Sequence, residues 1–363
     1  MPGRSVTYHD YLQLDKLLSC QRPPSFESET NDDQRELIHH EEQLFIVMHQ
    51  TIELWFGMAL SDLSLARDLL GRPSQSDKQV PEEDIPKACT LLQRNSELFK
   101  LLTAQFTIIE TMAPLNFLKF RDQLIPASGF QSWQFREVEV LAGLAEDERI
   151  NFEGKPYFSE MPKEHREIVS KRVAEMSLRG AVTDWLARTP VEEAFPNFVE
   201  VFLAAHSGYI DEQIEHQRAN PHLGEEQLTK ITGRFESTKK LAREFFCEGD
   251  PTARRARAAM VFISTYRHEP LLRWPYALVT QALEFEEHFR LFRFRHARMV
   301  ERMIGLRVGS GGSSGVAYLD STASRYRIFG DLLHSVSYLV DSSRLPDEAP
   351  NADILRFKFD GKS

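Results

Sequence analysis

Two histidines stand among apolar residues in segments with helical spacing, and each could face a flat, apolar cofactor. On the helical segment that contains LFRFRHARMVERM, an arc of roughly 80° holds His296 together with Phe285, Phe289, Phe292, Met299 and Met303. The same geometry turns the arginines of this segment away from the arc: Arg290, Arg293, Arg295, Arg298 and Arg302. A neutral imidazole on such a wall suits the axial ligand of a haem iron. The alternative is a core histidine bonded to a backbone carbonyl.

The second histidine lies in the stretch EEQLFIVMHQTIELWF, where Phe45 and His49 are one helical turn apart. The imidazole again lies beside an aromatic ring on a largely apolar face. A buried structural histidine is the alternative. Two such histidines on separate helices can face the two sides of one flat cofactor.

An arginine stands between aromatic residues in NFLKFRDQLIPASGFQSWQFR, residues 116–136. Arg121 follows Phe117 and Phe120, and a guanidinium in a partly dry pocket can bind a carboxylate through two parallel hydrogen bonds. Pairing with a neighbouring carboxylate, such as Asp122 or Glu137, is the alternative. The motif therefore predicts a site for a ligand that carries a carboxylate.

The same stretch continues into the turn PASG, which can present a hydroxyl and backbone amides to an anion. Ser128 supplies the hydroxyl, and Arg136 follows closely enough to neutralise the anion. A haem has two propionates that need such partners.

Glu36 and His39 form a single ExxH motif. A di-iron carboxylate bundle needs two such motifs and further glutamates, so the sequence disfavours a di-iron site.

The elements that position these residues are predicted to be helices, because apolar residues recur at helical spacing and alternating runs are scarce. We expect an all-α protein with helices near 32–70, 84–111, 132–145, 162–188, 190–217, 224–247, 252–265, 271–304 and 323–340. Residues 31–345 are predicted to form one helical domain, with 146–260 as a helical excursion from its core. Residues 1–30 form an N-terminal segment, and 346–363 form a peripheral tail.

Composition narrows the class of protein. The net charge of −10 over 363 residues disfavours nucleic acid as a partner, because phosphate binding needs a basic face. Three widely spaced cysteines without a CxxC pair predict neither a disulfide framework nor a thiolate zinc site. No uncharged apolar stretch reaches the length of about 18 residues that a membrane span requires. We therefore expect a soluble cytoplasmic protein.

Taken together, these motifs resemble the tryptophan 2,3-dioxygenase family. Five stretches in the family's order carry the resemblance: YHDYLQLDKLL, HEEQLFIVMHQTIELWF, FRDQLIPASGFQSWQFR, YRHEP and FRFRHARMVERMIGLRVGSGGSSG. The resemblance implies a multi-helix haem-binding bundle that carries haem b, with ferrous iron in the active state. It also implies a homotetramer, built as a dimer of dimers, that uses O2 to open the indole ring of L-tryptophan and form N-formylkynurenine.

The resemblance further implies a role for individual residues by position. His296 matches the iron ligand, and His49 matches the distal histidine that meets the indole N–H group. Arg121 matches the residue that binds the substrate carboxylate, and Ser310 matches a threonine that contacts the substrate ammonium. The remaining matches are Phe45 and Phe117 in the indole pocket, Ser128, Arg136 and Phe292 around the haem, and Tyr8 and Tyr11 in a segment that enters the neighbouring subunit's site.

Several positions differ from the family pattern and change the volume or polarity of the pocket. Ser310 stands for threonine, Phe117 for tyrosine and Phe292 for tryptophan. Three functions therefore stay open. The first is dioxygenation of L-tryptophan. The second is oxygenation of a substituted tryptophan, such as a β-methyl derivative, which includes insertion of one oxygen atom to give an oxindole. The third is a haem or ligand sensor without catalysis.

Overall fold

A computed structural model describes residues 6–24, 32–71, 83–150, 161–309 and 315–356. Within these ranges the regular elements are all helical, which confirms the predicted all-α fold. The α-helices are α1 Tyr8–Leu12, α2 Leu14–Leu18, α3 Asp32–Gly71, α4 Asp84–Ile109, α5 Pro114–Arg121, α6 Trp133–Ala142, α7 Lys163–Val173, α8 Leu178–Leu186, α9 Val191–Ala194, α10 Phe198–Arg218, α11 Glu225–Cys247, α12 Pro251–Thr265, α13 Arg273–Ile304, α14 Val316–Arg325 and α15 Gly330–Val336. Short 3-10 helices span Asp122–Leu124, Gly129–Gln131, Pro270–Leu272, Ser342–Arg344 and Ala352–Leu355.

Three long helices form the frame of the protein, because α4 packs against both α3 and α13. Their shared core is aromatic. The ring of Phe99 on α4 is fully buried, with its centroid 6.4 Å from Phe56 on α3 and 5.7 Å from Phe292 on α13. The Phe99–Phe292 pair is edge-to-face, a geometry that adds to the stabilisation from burial of apolar area. Because α4 contacts both helices, it fixes the position of α3, which carries His49, relative to α13, which carries His296.

Helix α3 is unusually apolar. By length and composition alone, its stretch Ile38–Gly71 could cross a membrane. In this fold α3 packs against α4, α5, α6 and α8, so part of its apolar surface serves contacts with four other helices, while Val47, Leu54, Met58 and Leu65 are exposed. One such helix is weak evidence for a membrane span, because the core helix of a soluble protein meets the same criteria.

Two predicted helices are each divided in two. The segment predicted as one helix over 162–188 breaks at Ser177, whose hydroxyl accepts a hydrogen bond from the Gly180 N–H at 3.1 Å and begins α8. The segment predicted over 190–217 breaks before Asn197, which has φ 59°, a conformation that asparagine tolerates better than most residues.

The helix predicted over 323–340 is also wrong in its bounds. Helix α14 begins earlier, and a bend between α14 and α15 replaces the predicted continuous helix. The buried carboxylate of Glu286 on α13 accepts hydrogen bonds from the backbone N–H groups of Ile328 and Phe329. A side chain distant in sequence thus accepts from the backbone N–H groups of the connection that leads into α15, whose N-cap is Phe329. Helix α5 was not predicted, and it begins with Pro114 at a position where proline favours helix initiation.

The segment 146–260 contributes to the central packing. Helix α8 contacts both α3 and α12, and its side chains Leu178 and Val182 are buried in the same core as α3 and α4. Helices α10 and α11 pack against each other.

Candidate active site

One large cavity lies among residues of α3, α4, α5, α13 and α14. It encloses about 1270 Å³ of space not filled by protein atoms, counting the part that opens to solvent. Eight of the eleven predicted site residues line it: Phe45, His49, Phe117, Arg121, Ser128, Arg136, Phe292 and His296.

The other three predicted residues lie elsewhere. Tyr8 and Tyr11 are on α1, where their side chains are 76% and 78% exposed, and they are not among the residues that line this cavity. Ser310 lies outside the described residues. The loop that contains it is bounded by Gly309 and Gly315, which both line the cavity.

His296 presents a neutral imidazole to the cavity. Its ring stacks with Phe106 and Phe292 at centroid distances of 5.5 and 6.2 Å. Burial, with repulsion from His49, Arg293 and Arg136, lowers the pKa of His296 to about 4. Within the described ranges neither ring nitrogen has a hydrogen-bond partner, so the predicted alternative of a bond to a backbone carbonyl does not hold there. A neutral imidazole with an uncommitted lone pair is suited to binding a metal.

His49 has one ring nitrogen engaged and the other free. Nδ1 lies 2.7 Å from the carbonyl oxygen of Phe45, and because a carbonyl only accepts, Nδ1 must carry the hydrogen. By surface area His49 is exposed to the open cavity, although many protein atoms surround its ring. This burial lowers the pKa of His49, against smaller opposing effects of the Phe45 carbonyl and Glu53. The neutral form therefore leaves Nε2 as a hydrogen-bond acceptor.

Arg121 ends α5 and lines the cavity. Its Nη2 donates to the carbonyl of Val308, at the beginning of the loop that contains Ser310. Within the described residues it pairs with no carboxylate. The alternative of a pair with Glu137 is wrong, since that carboxylate binds Arg172 at 2.7 Å. The guanidinium is thus placed to bind an anionic group in the cavity.

Ser128 and Arg136, the two predicted anion-binding residues, follow Arg121 along the chain and also line the cavity. Ser128 precedes a 3-10 helix, and its hydroxyl oxygen accepts from the Phe130 N–H at 3.3 Å. Its hydroxyl hydrogen can still donate to an anion. Arg136 is 5% exposed, and its guanidinium carbon lies 5.6 Å from the centre of the Phe130 ring.

The prediction that all arginines of α13 turn away from the cavity is wrong for Arg293. This residue is 5% exposed and lines the cavity, because Glu139 on α6 binds its guanidinium at 2.6 Å. On the helical wheel Arg293 falls roughly 40° beyond the apolar arc. That edge position was the only sequence signal for its contribution. Other lining residues that the sequence did not indicate are Phe130, Phe135, Tyr318 and Thr322.

The donor set fits a haem better than a bare metal ion. In the described part of the chain, no three His, Cys, Asp or Glu side chains are grouped to hold a metal. A haem iron needs only an axial ligand from the protein, because the porphyrin supplies the other nitrogens. His296 offers that ligand from an apolar wall, and Ser128 and Arg136 offer partners for carboxylates.

Fold and site together define an all-α protein in which two neutral histidines and an arginine share one apolar cavity. Comparison with known proteins gives the family. The sequence model of tryptophan 2,3-dioxygenase matches residues 2–339. The chain therefore belongs to the tryptophan 2,3-dioxygenase family, a family of oxidoreductases, as the motifs predicted.

Relatives come from distant organisms. A tryptophan 2,3-dioxygenase from Sorangium cellulosum is 35% identical, over 95% of this chain and 86% of the relative. Tryptophan 2,3-dioxygenase 2 from Ralstonia nicotianae is 37% identical, over 94% of this chain and 95% of the relative. The tryptophan 2,3-dioxygenase from Xenopus tropicalis is 35% identical, over 95% and 85%.

Proposed function

We propose that this chain binds haem b and, with ferrous iron, uses O2 to open the indole ring of L-tryptophan and form N-formylkynurenine. One observation carries the proposal. His296, with an uncommitted imidazole nitrogen, and His49, with an acceptor nitrogen, line the same cavity as Arg121, which has no carboxylate partner among the described residues. Family membership supports the same reaction.

On the cofactor side, His296 is the proposed iron ligand. Phe292 and Phe106 stack against its ring and keep water from the imidazole, while Ser128 and Arg136 are the proposed partners of the haem carboxylates. When bound, a ferrous haem supplies an iron coordination position at which O2 is activated.

On the substrate side, Arg121 is the proposed partner of the amino-acid carboxylate, because its planar fork matches two carboxylate oxygens. The rings of Phe45 and Phe117, with centroids 5.7 Å apart, line the space for the indole. Nε2 of His49 accepts the indole N–H hydrogen bond and fixes the ring orientation. Ser310 is the proposed partner of the substrate ammonium.

A homotetramer, assembled as a dimer of dimers, is the proposed functional form. On α3, the exposed apolar residues Val47, Leu54, Met58 and Leu65 recur at helical spacing along one face. An apolar stripe of this kind favours burial against another subunit. Tyr8 and Tyr11, exposed in this chain, are the proposed contribution of the N-terminal segment to a neighbouring subunit's site.

The proposed compartment is the cytoplasm. Cys20, Cys89 and Cys247 are free thiols, as is usual in a reducing compartment. Burial raises the pKa of Cys89 to about 11, which keeps this thiol protonated and unreactive.

The decisive experiment reduces the haem-loaded protein without oxygen, adds L-tryptophan and then O2, and identifies the product by mass. A product that gains two oxygen atoms supports the proposal. A product that gains one atom, or turnover of β-methyltryptophan but not L-tryptophan, contradicts it in favour of the substituted-tryptophan oxygenase. Haem uptake with no product at all favours the sensor.

The ligand assignment is tested separately with His296→Ala, which should abolish the normal haem absorption spectrum. His49→Ala is the matched control, because it removes an imidazole from the same cavity and should leave the iron-ligand spectrum in place. A normal spectrum in His296→Ala contradicts the assignment.

A further inference from the structure

A buried carboxylate on α6 joins three guanidinium groups beside the cavity. Glu139 is fully buried, and its Oε1 accepts from Arg293 at 2.6 Å and from Arg136 at 3.2 Å. Its Oε2 accepts from Arg149 at 2.7 Å. Glu139 thereby ties α13, the helix that carries His296, to α6.

The cluster around Glu139 contains three guanidinium groups but two carboxylates, Glu139 and Glu146. Arg149 has a second carboxylate, Glu146, at 3.2 Å. Within the described ranges, Arg136 and Arg293 have no carboxylate partner other than Glu139. Both are 5% exposed, so water screens little of the excess charge. Buried excess charge is costly unless an anion compensates it.

The excess charge faces the cavity. Arg136 and Arg293 line it, whereas Glu139 and Arg149 do not. The guanidinium carbon of Arg293 lies 4.6 and 5.0 Å from the ring centres of Phe289 and Phe135, so aromatic rings and Glu139 together limit its orientation.

One N–H donor of the two cavity-lining arginines also lacks a hydrogen-bond acceptor among the described residues. Nε of Arg136 is buried and has no hydrogen-bond partner among the described residues. Buried donors of folded proteins are nearly always paired. The unpaired donor and the uncompensated charge indicate the same kind of ligand, an anion with oxygen acceptors.

We propose that Arg293 and Arg136 together bind one carboxylate of the cofactor, and that Glu139 is a positioning residue for both guanidinium groups. This inference rests on the proposed haem function and adds Arg293 to the cofactor-binding residues. Arg121 is assigned to the substrate carboxylate, so the buried pair serves a different anion. A haem carries two carboxylates on one edge of an otherwise apolar ring, which matches a charged corner in an apolar cavity.

The test compares the affinity of the apoprotein for haem and for haem dimethyl ester, in which both carboxylates are neutralised. The wild type should prefer the free acid. Arg293→Met should reduce this preference by about tenfold or more, because charge-assisted hydrogen bonds are lost. Arg149→Met is the matched control, since it removes a guanidinium from the same carboxylate but not from the cavity wall, and should leave the preference unchanged.

Arg293→Lys keeps the charge and most of the packing, so it should fold and retain part of the preference. An unchanged preference in both Arg293 variants overturns the inference. An equal loss in Arg149→Met also overturns it, because the effect would then come from disturbing Glu139. Failure of the proposed function looks different: the wild type takes up no haem, or His296→Ala leaves its spectrum unaltered.

Discussion

Replacing Glu139 with glutamine removes one negative charge from the buried cluster while keeping the shape of the side chain. In the wild type, burial alone would raise the pKa of Glu139, but the fields of Arg136, Arg293 and Arg149 outweigh burial and hold the pKa well below its usual range. The carboxylate is therefore ionised at neutral pH, and its loss leaves cations without their partner.

The size of the effect follows from the partners that remain. Arg149 keeps Glu146, whereas Arg136 and Arg293 lose their shared carboxylate. Removing one member of a buried ion pair costs about 3–5 kcal/mol. With a urea m-value of about 3 kcal/mol per molar, the unfolding midpoint of the apoprotein should fall by roughly 1–2 M.

Glu137→Gln is the control on the same helix. The carboxylate of Glu137 binds Arg172 at 2.7 Å, but Arg172 is 18% exposed and keeps Glu175 at 2.6 Å. We expect a loss of about 1 kcal/mol. Urea unfolding of the two variants and the wild type, followed by circular dichroism, measures the difference. Equal midpoints for Glu139→Gln and Glu137→Gln would refute the reasoning.

The pH dependence of the Glu139→Gln effect gives a second check. Because the folded pKa of Glu139 is depressed, its stabilisation is present above the ordinary carboxyl pKa of about 4.3 and is lost as pH falls through the lower folded pKa. The stability difference from the wild type should therefore stay constant between about pH 5 and 8. A difference that shrinks within that window would show that Glu139 is not ionised there.

Three further predictions concern the proposed reaction and assembly. Arg121→Lys should raise KM for L-tryptophan about 10- to 100-fold, because the bidentate carboxylate contact is lost; unchanged steady-state kinetics would contradict this role. Since burial lowers the pKa of His49 below its ordinary 6.5 and the neutral ring is the proposed acceptor, kcat/KM should be flat above pH 6.5 and fall as pH decreases through the lowered pKa. The same acid fall in His49→Ala would assign it to another group. Leu54→Asp should dissociate the tetramer in sedimentation experiments, whereas the control Leu241→Asp, at a residue 53% exposed on α11, should not.

The long helices could be predicted from the sequence. The predictions for 32–70, 84–111 and 271–304 agree closely with α3 Asp32–Gly71, α4 Asp84–Ile109 and α13 Arg273–Ile304. An apolar pattern repeated over many turns gives a strong signal that local context rarely overrides. The breaks at Ser177 and Asn197 and the bend after α14 depend on single residues or distant partners, and periodicity does not reveal them.

For the site, too, the sequence determined some features and the tertiary structure determined others. Sequence alone determined the residue types and the family: an imidazole on an apolar helical face at His296, another at His49, and an arginine among aromatics at Arg121. Only the tertiary structure decided that they share one cavity and that Nε2 of His49 is the free acceptor, because the Phe45 carbonyl holds Nδ1.

The tertiary structure also decided the place of Arg293. Its helical position lies at the edge of the apolar arc, where a guanidinium can turn toward water or toward the core. The choice depends on Glu139, which lies 154 residues earlier in the chain and offers a buried negative charge. A charged side chain enters a dry interior only where a partner offsets its desolvation, and no local pattern in the sequence records where that partner will be.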